Sequence, residues 1–549
     1  MPFHRADALR RLAAEEFDVL VVGGGITGAG VALDAASRGL RTALIDKGDF
    51  ASGTSSKSSK LVHGGIRYLQ QKEVGLVYEA LAERQILRKT APHMVRVLPF
   101  LLPVFTKDGL LPRRLARVLG TMMWMYDLTG GARIGKLHKR VKNEAALEYM
   151  PTLPAERLAG SYVYYDAQAD DARLTLTIAR TAADHGAALA NYVTLTGLEK
   201  DAAGRVTTAR VLADGREMEV RARTVVNATG VWADEVRTLD EGTDPDMIRP
   251  AKGIHITVPW RLVRNTIAVV VPVPKDRRSV FVVPWGDRGN GEFAFTYIGT
   301  TDTDYDGPLD DPQCTPADIE YLLRAINASV TTTITAGDVL GTWAGLRPLV
   351  RAAASERTAD LSRRHSVRVA PSGVVTVTGG KLTTYRRMAA DAVDEITKLL
   401  DHDGRSATKR LRLHGTTGWD ASDLPPALAA RYGGDAREIL ALVRADAALG
   451  EPLIPGLDYL KAEAVYAVRS EMATSVDDVL SRRTRARLLA RDTSAAAADD
   501  VAALIGPELG WDTAEQRAQA EQYRARVQAE REAGELPETA LDALLQRPS

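Results

Sequence analysis

Residues 58–69 read Ser-Ser-Lys-Leu-Val-His-Gly-Gly-Ile-Arg-Tyr-Leu, with two hydroxyls, two cations and one imidazole set around paired glycines. A structural turn uses glycines for their conformational freedom but has no need of His63 or Arg67. Donors and a titratable ring, beside residues that let backbone approach closely, describe a loop that grips a ligand. A second chemical signature stands upstream. Gly23-x-Gly25-x-x-Gly28 is followed by Asp46, an acid about 20 residues on, which is the spacing of a dinucleotide site. The first glycine permits a tight turn, the second lets backbone meet a pyrophosphate, and the third lets helix and strand close together. The helix N-terminus then faces the anion, and Asp46 is placed to accept from a ribose hydroxyl.

These groups need elements to hold them. Asp18–Val22 is a β-branched run next to glycines and reads as a buried parallel strand. A helical pattern through Val31, Leu33 and Ala36 should stop at Gly39, a natural C′ residue. Thr42–Ile45 follows as a second strand, which completes a βαβ unit. Two more strand-to-glycine junctions lie far downstream, at Asn227-Ala228-Thr229-Gly230 and Gly379-Gly380-Lys381. An NAD domain completes its nucleotide contacts within one continuous unit, so dispersed junctions favour a flavin domain and FAD. Helical patterns cover 74–90 and 172–185, and 193–212 and 218–226 alternate as strands. Residues 95–130 are apolar and broken by prolines, whereas 250–300 suggest a mainly antiparallel sheet. Beyond about residue 415 the chain reads as helical.

A chain of 549 residues is too long for one core and suggests several domains. Its 71 basic and 71 acidic side chains leave no global field to draw nucleic acid. The single Cys314 excludes an internal disulfide framework and reads as an incidental loop thiol in a reducing compartment. The N-terminal stretch lacks the apolar segment and cleavage site of a signal peptide, and no apolar run reaches about 18 residues. The expectation is a protein kept inside the cell, with no spanning helix and no metal site.

The run from Asp18 to Leu69 resembles the N-terminal signature of FAD-dependent glycerol-3-phosphate dehydrogenases. The resemblance continues through "RPAKGIHITVP", "IGTTDTDYDGPLDDP", "GLRPLV", "VTGGKLTTYRRMA" and "DYLKAEAVYAVRSEMATSVDDVLSRRTR", covering residues 17 to 490 or so. It implies an α/β fold: a Rossmann-like FAD-binding domain of the glutathione-reductase/D-amino-acid-oxidase type, a mixed-sheet substrate domain and a C-terminal all-helical domain. FAD-binding segments are expected near 17–90, 155–235 and 340–400, with substrate-domain segments near 91–154 and 236–339. Together these form an oxidoreductase region over 17–400, followed by a helical domain over 410–549.

The same resemblance implies residue roles. Gly23, Gly25, Ile26, Thr27 and Gly28 would hold the pyrophosphate side of FAD, with Asp46, Lys47 and Ser55 beside them. Ser58, Ser59, Lys60 and Leu61 would wrap the flavin, and Gly64 and Gly65 would let backbone approach its ring. His63, Ala228, Thr229, Gly230, Gly380, Lys381, Leu382 and Thr383 complete the expected cofactor set. His63 and Arg67 would face the substrate. Arg347, Arg363 and Lys381 match positions that contact phosphate or the developing alkoxide, and Thr300, Thr301 and Asp302 lie at the substrate mouth. The C2 hydroxyl must lose a proton as C2 delivers hydride, which needs a base in reach. His63 is the first choice and His255 the rival.

Sn-glycerol 3-phosphate would become dihydroxyacetone phosphate, with the electrons passed to a membrane quinone. The alternative is an oxidase that makes peroxide from oxygen. Some similar oxidases carry a long insertion between the positions of Arg347 and Lys381, where this chain has a short connection. A quinone acceptor implies peripheral docking on the inner face of the cell membrane, with a homodimer as one possible assembly. Arg113, Arg114 and Arg117 beside Leu110, Leu111, Leu115, Met122, Met123 and Trp124 suit an interfacial helix. "VLSRRTRARLLARD" at 479–492 is basic, but acids lie just upstream and no aromatic platform accompanies it. It reads as a solvated or domain-packing helix and not as a nucleic-acid site.

Overall fold

The computed structural model describes the chain except residues 1–2, 67, 69–72, 106–112, 244, 277, 352–363 and 547–549, and the side chains at 113–119, 132, 543–544 and 546. Arg67, Arg363, Leu110 and Leu111 therefore lie outside the described residues, as do the side chains of Arg113, Arg114, Leu115 and Arg117.

The first strand, Glu16–Val22, is parallel to both Thr42–Ile45 and Arg216–Asn227. Val375–Thr378 and Ala188–Ala190 extend the parallel set on either side. The core of this sheet is a near-continuous run of Val, Leu and Ile because both faces are covered, one by helices and the other by the helix Arg5–Ala14 and the strands Val193–Lys200 and Val206–Ala213. On one side, Ile26–Ser37 is contacted by Asp171–Asp184 and Tyr385–Leu400. The helix after the glycine loop stops at Ser37, and Gly39 follows with φ +87°, as its sequence predicts. An antiparallel meander of Val193–Lys200 and Val206–Ala213 leads into Arg216–Asn227.

The second sheet is mixed. Its strand order runs Thr303–Asp304, Ile248–Pro259, Glu292–Gly299, Ser279–Gly289, Ala268–Pro272, Arg96–Phe105, Leu158–Gln168, Leu61–Val62. All neighbours are antiparallel except Ala268–Pro272 with Arg96–Phe105, and Gly341–Val350 pairs with Ile248–Pro259. Leu61–Val62 is thus an edge of this sheet, and the chain leaves it directly into His63 and the Gly64-Gly65 turn. After Pro425 the described residues are helical, with their own cores around Ile454, Val479 and Ile505 and around Leu428, Ile439 and Tyr466.

Cys314 lies in a loop but is only 2% exposed, packed beside Ile319 and Leu322. Burial, with Glu530 nearby, pushes its thiol well above the ordinary range. It is a covered core thiol and not a surface one. Among the described residues no helix is long and apolar enough to cross a membrane.

Candidate functional site

One cavity of about 1080 Å³ runs along the C-terminal ends of the parallel strands and under the second sheet. Gly23, Gly25, Ile26 and Thr27 form its floor, where Gly23 takes φ +107° and Gly25 opens the helix without a side-chain cap. The Ile26 N–H donates to Ser55 Oγ at 2.8 Å. Asp46 ends the second strand and accepts from the N–H groups of Gly24 at 2.5 Å and Gly48 at 2.7 Å. Burial raises its carboxyl to about 6 against those two hydrogen bonds. Lys47 and Ser55 line the same region, as do Ala228, Thr229 and Gly230.

The residues expected to hold a flavin divide by direction. Ser58, Ser59, Leu61, His63 and Gly65 line the cavity, together with Gly380, Lys381, Leu382 and Thr383. Gly28, Lys60 and Gly64 do not. Gly28 sits against the carbonyl of Gly23, and a Cβ at Gly64 would meet Leu81 at 2.5 Å and the Tyr126 hydroxyl at 2.7 Å. Lys60 turns inward: its ammonium donates to Asp171 Oδ1 and to the Ser56 carbonyl, both at 3.1 Å.

The reactive groups converge. The His63 N–H donates to Thr383 Oγ1 at 3.1 Å, and the ring stands edge-on to Phe281 at 5.9 Å. His255 lies on Ile248–Pro259, opposite Gly299 and Trp343 on the neighbouring strands. Burial, then the charges of Lys60 and Arg347, holds it well below the usual imidazole range, so the ring is neutral. Its Nδ1 is buried without a hydrogen-bond partner among the described residues. Arg347 donates Nη1 to Asp302 Oδ1 at 3.1 Å, and Nη2 to Thr300 Oγ1 at 3.2 Å and the Thr301 carbonyl at 3.0 Å. The Lys381 ammonium lies 3.8 Å from the centre of the Tyr68 ring.

Sequence reasoning passed over Arg278, Tyr68 and Phe281, which line the same cavity. Arg278 donates to the Asp302 carbonyl at 2.9 Å and pairs with Asp276. It gave no signal in "PVPKDRRSVFVV", where it is one charge among several. Tyr68 closes the 58–69 loop and could have been read from it as a partner for a cation.

The donor set fits a dinucleotide. A glycine floor at a helix N-terminus suits a pyrophosphate, a carboxylate at the end of the second strand suits a ribose, and the cavity is long and deep. A family model described as FAD dependent oxidoreductase matches residues 18–386, and one described as the C-terminal domain of alpha-glycerophosphate oxidase matches 397–516. The chain is 40% identical over 547 residues to glycerol-3-phosphate dehydrogenase 2 of Mycobacterium tuberculosis, covering 96% of this chain and 91% of that protein. It is 36% identical over 557 residues to the mitochondrial glycerol-3-phosphate dehydrogenase of Homo sapiens, covering 95% of this chain and 75% of that one. The glycerol-3-phosphate dehydrogenase of Bacillus halodurans, solved with FAD, superposes with a TM-score of 0.76 at 28% identity and covers 99% of both chains. An L-alpha-glycerophosphate oxidase from Mycoplasma pneumoniae shares the fold over 71% of this chain, with a TM-score of 0.55 at 18% identity.

Proposed function

The chain belongs to the family of FAD-dependent glycerol-3-phosphate dehydrogenases, and from that premise we propose that it oxidises sn-glycerol 3-phosphate to dihydroxyacetone phosphate and passes the electrons to a membrane quinone. The observation that carries the reading is the convergence of Arg347, Lys381, His63 and His255 on the cavity that also holds the glycine loop. When bound, FAD supplies the hydride acceptor and relays the electrons. Arg347 and Lys381 receive the phosphate, the first as a planar fork and the second as a point charge. Thr300, Thr301 and Asp302 fix the direction of that fork. His63 takes the proton of the C2 hydroxyl. His255 is the second candidate for this step, favoured by its neutral ring and its buried Nδ1. Gly23–Thr27, Asp46 and the 55–65 loop would hold the cofactor, within an oxidoreductase region over 17–400 that precedes a helical domain over 410–549.

Quinone is favoured over oxygen by the apolar wall of the same cavity. Leu102, Met122, Met123, Val270 and Phe281 line it, and two of these belong to the helix Arg113–Leu128. That helix exposes Trp124, Met125 and Leu128, which supports peripheral attachment to the inner face of the cell membrane.

The test is anaerobic bleaching of the flavin band on mixing with glycerol 3-phosphate, then with glycerol. Rapid bleaching by the ester, against a slow background with glycerol, and reoxidation faster by a soluble quinone than by oxygen are the expected result. Fast reoxidation by oxygen with peroxide makes the protein an oxidase, and a band that stays with the ester overturns the substrate.

A further inference from the structure

The basic segment Arg482-Arg483-Thr484-Arg485 belongs to the C-terminal helical region, yet three of its side chains leave that region and enter the flavin-binding one. Arg482 and Arg483 converge on Asp49: Nε of Arg482 and Nη1 of Arg483 each lie 2.6 Å from Oδ2, and Nη2 of Arg483 lies 2.8 Å from Oδ1. Asp49 is 1% exposed and stands three residues beyond Asp46, at the start of the long loop that leads to Lys60. Arg485 is 2% exposed and donates Nη2 to Asp171 Oδ1 at 2.5 Å, and Nε and Nη2 to Asp170. Asp171 spends its other oxygen on the far end of the same loop, accepting the Ser58 N–H at 2.9 Å and the Ser58 hydroxyl at 2.7 Å. Its Oδ1 also takes the Lys60 ammonium at 3.1 Å.

The loop from Asp46 to Lys60 is therefore pinned near both ends by one tetrapeptide more than 400 residues away in sequence. Lys60 adopts φ +55°, a conformation rarely taken by a residue with a side chain, and its own ion pair with Asp171 holds it there. The loop between the two pins carries Ser55 and Ser58, which face the cavity. Ordinary packing of two domains has no need of three nearly fully buried guanidinium groups, two aimed at Asp49 of the loop and one at the helix start that holds the loop's other end. Buried ion pairs cost desolvation and stabilise only when every partner is matched, and a hydrophobic contact would serve adhesion as well.

We propose that Arg482, Arg483 and Arg485 are positioning residues for the cofactor: they form a clamp that fixes both ends of the flavin-holding loop, so the C-terminal helical region, whose Arg482 and Arg485 border the same cavity, is part of the FAD site. Arg482 and Arg483 set the ribose end through Asp49. Arg485 sets the end next to the reacting groups through Asp171, Ser58 and Lys60. This rests on the reading that the 46–60 loop holds FAD.

The test uses the full chain, stripped of flavin and titrated with FAD by quenching of flavin fluorescence, with the visible spectrum and the KM and kcat for glycerol 3-phosphate measured on the reloaded enzyme. Arg485→Gln is expected to raise the FAD dissociation constant about ten-fold or more and to shift the visible flavin band. It should lower kcat with KM nearly unchanged, because the phosphate donors are not in the chain of contacts. Arg485→Lys keeps the charge and should restore part of each effect. Arg431→Gln breaks a buried pair with Glu463 inside the helical region and serves as the control for general destabilisation. It should lower the melting temperature while leaving the FAD dissociation constant within about two-fold. A folded Arg485→Gln with unchanged affinity and spectrum overturns the clamp, as does an equal loss of affinity in Arg431→Gln. Should Arg485→Gln fail to fold, Asp171→Asn and Arg485→Lys carry the same decision. A wild-type chain that binds no FAD overturns the reading of the site and the clamp with it. One that binds FAD but is not reduced by the ester overturns only the substrate, and the affinity comparison still decides the clamp.

Discussion

The Nε2 atom of His255 lies 2.8 Å from the Oγ of Ser59, joining the strand Ile248–Pro259 of the second sheet to the 58–65 loop. The ring is stacked on Trp343, with centroids 4.7 Å apart and planes within 7°. The loop is held from the same side by the Tyr297 hydroxyl, which donates to the Ser59 carbonyl at 2.8 Å, and by the Trp343 indole N–H on the Ser58 carbonyl at 3.2 Å. A neutral imidazole fits this position because burial and two neighbouring cations oppose a charged one.

That depressed pKa has a consequence for stability. Below about pH 6.5 the unfolded chain takes up a proton at this imidazole while the folded chain does not, so stability is lost as pH falls through that region. Replacing His255 with Asn should flatten the acid limb of a melting-temperature profile, whatever it does to the absolute value. It should also slow flavin reduction by glycerol 3-phosphate about 100-fold or more if this imidazole takes the proton. Stopped-flow reduction of the His63→Asn and His255→Asn proteins assigns the base: the larger loss marks it.

His414 works in the opposite sense. It bridges Asp184 and Asp435, each at 2.7 Å, and so ties the helix Asp171–Asp184 to the C-terminal region. Burial opposes the charged ring, but hydrogen bonds to both carboxylates prevail and raise it to about 9, with Arg180 acting against them. A raised folded-state pKa gives stability that is fully present below about 6.5 and is lost as pH rises through about 9. His414→Gln should therefore destabilise by about 2 kcal/mol at mildly acidic pH, after allowing for partial exposure, and by much less in alkali. Denaturant melts of both proteins at the two pH values check the crossing.

The glycine loop separates a cofactor requirement from a folding one. A Cβ at Gly25 would meet only Ser55 Oγ, at 3.1 Å, whereas one at Gly28 would run into the Gly23 carbonyl. Gly25→Ala should fold with a nearly unchanged melting temperature and lose FAD affinity about ten-fold or more, because the methyl occupies the path of the pyrophosphate. Gly28→Ala should be destabilised by about 1–3 kcal/mol or fail to fold. Flavin content and thermal melts of the two apo-proteins distinguish them.

Features encoded by local spacing were legible in the sequence. The loop Gly23–Gly28, the strand ending at Asp46 and the helix ending before Gly39 depend on a few adjacent residues, and the chain carries their signals in order. The family resemblance carried Arg347 and the Thr300-Thr301-Asp302 turn, whose joining rests on strand pairing that no local pattern reveals. What escaped is long-range. Ser59 meets His255 across 196 residues, and Arg278 reaches Asp302 because it leads into the strand Ser279–Gly289, which neighbours Glu292–Gly299. The same holds for Cys314, whose polar surroundings in sequence suggest exposure while helix Pro316–Asn327 folds over it. Arg485 looks like one cation in a basic helix, and only the fold sets it beside Asp171. Met123, read with the interfacial residues, is fully buried, while its neighbour Trp124 is exposed; which of the two faces outward depends on the helix's rotation against Val77, Leu81 and Tyr164.

Arg347 offers a test of substrate recognition by chemistry. A guanidinium presents a planar pair of donors matched to a phosphate, and lysine keeps the charge without the fork. Arg347→Lys should raise KM for glycerol 3-phosphate and lower kcat/KM about 100-fold, close to 3 kcal/mol of transition-state binding. The slow background reaction with glycerol should be unaffected, since glycerol has no phosphate to lose. Steady-state kinetics with both substrates and a soluble electron acceptor measure the ratio, and an equal loss with glycerol would reassign Arg347 to holding the turn.

The exposed end of the helix Arg113–Leu128 separates electron acceptance from substrate oxidation. Leu128 is 81% exposed and Trp124 is 55% exposed, and Tyr78 on the neighbouring helix Val74–Thr90 is 52% exposed. Single exposed apolar residues are ordinary, but a tryptophan, a leucine and a tyrosine on adjacent helices suit an interface where one side is apolar and the other wet. The same helix turns Tyr126 inward, where its hydroxyl donates to Asp166 at 2.6 Å and accepts the Gly64 N–H at 3.2 Å. Surface and flavin turn are thus joined through a single side chain. Trp124→Ser with Leu128→Ser should abolish co-sedimentation with anionic vesicles and lower the rate with a vesicle-embedded quinone about ten-fold, since each lost apolar side chain weakens interfacial binding. Reduction by glycerol 3-phosphate with a water-soluble acceptor should stay within about two-fold of wild type, because neither side chain lines the cavity. Loss of both rates would place these residues in the fold around Tyr126 and Gly64, and loss of neither would leave the membrane face elsewhere on the molecule.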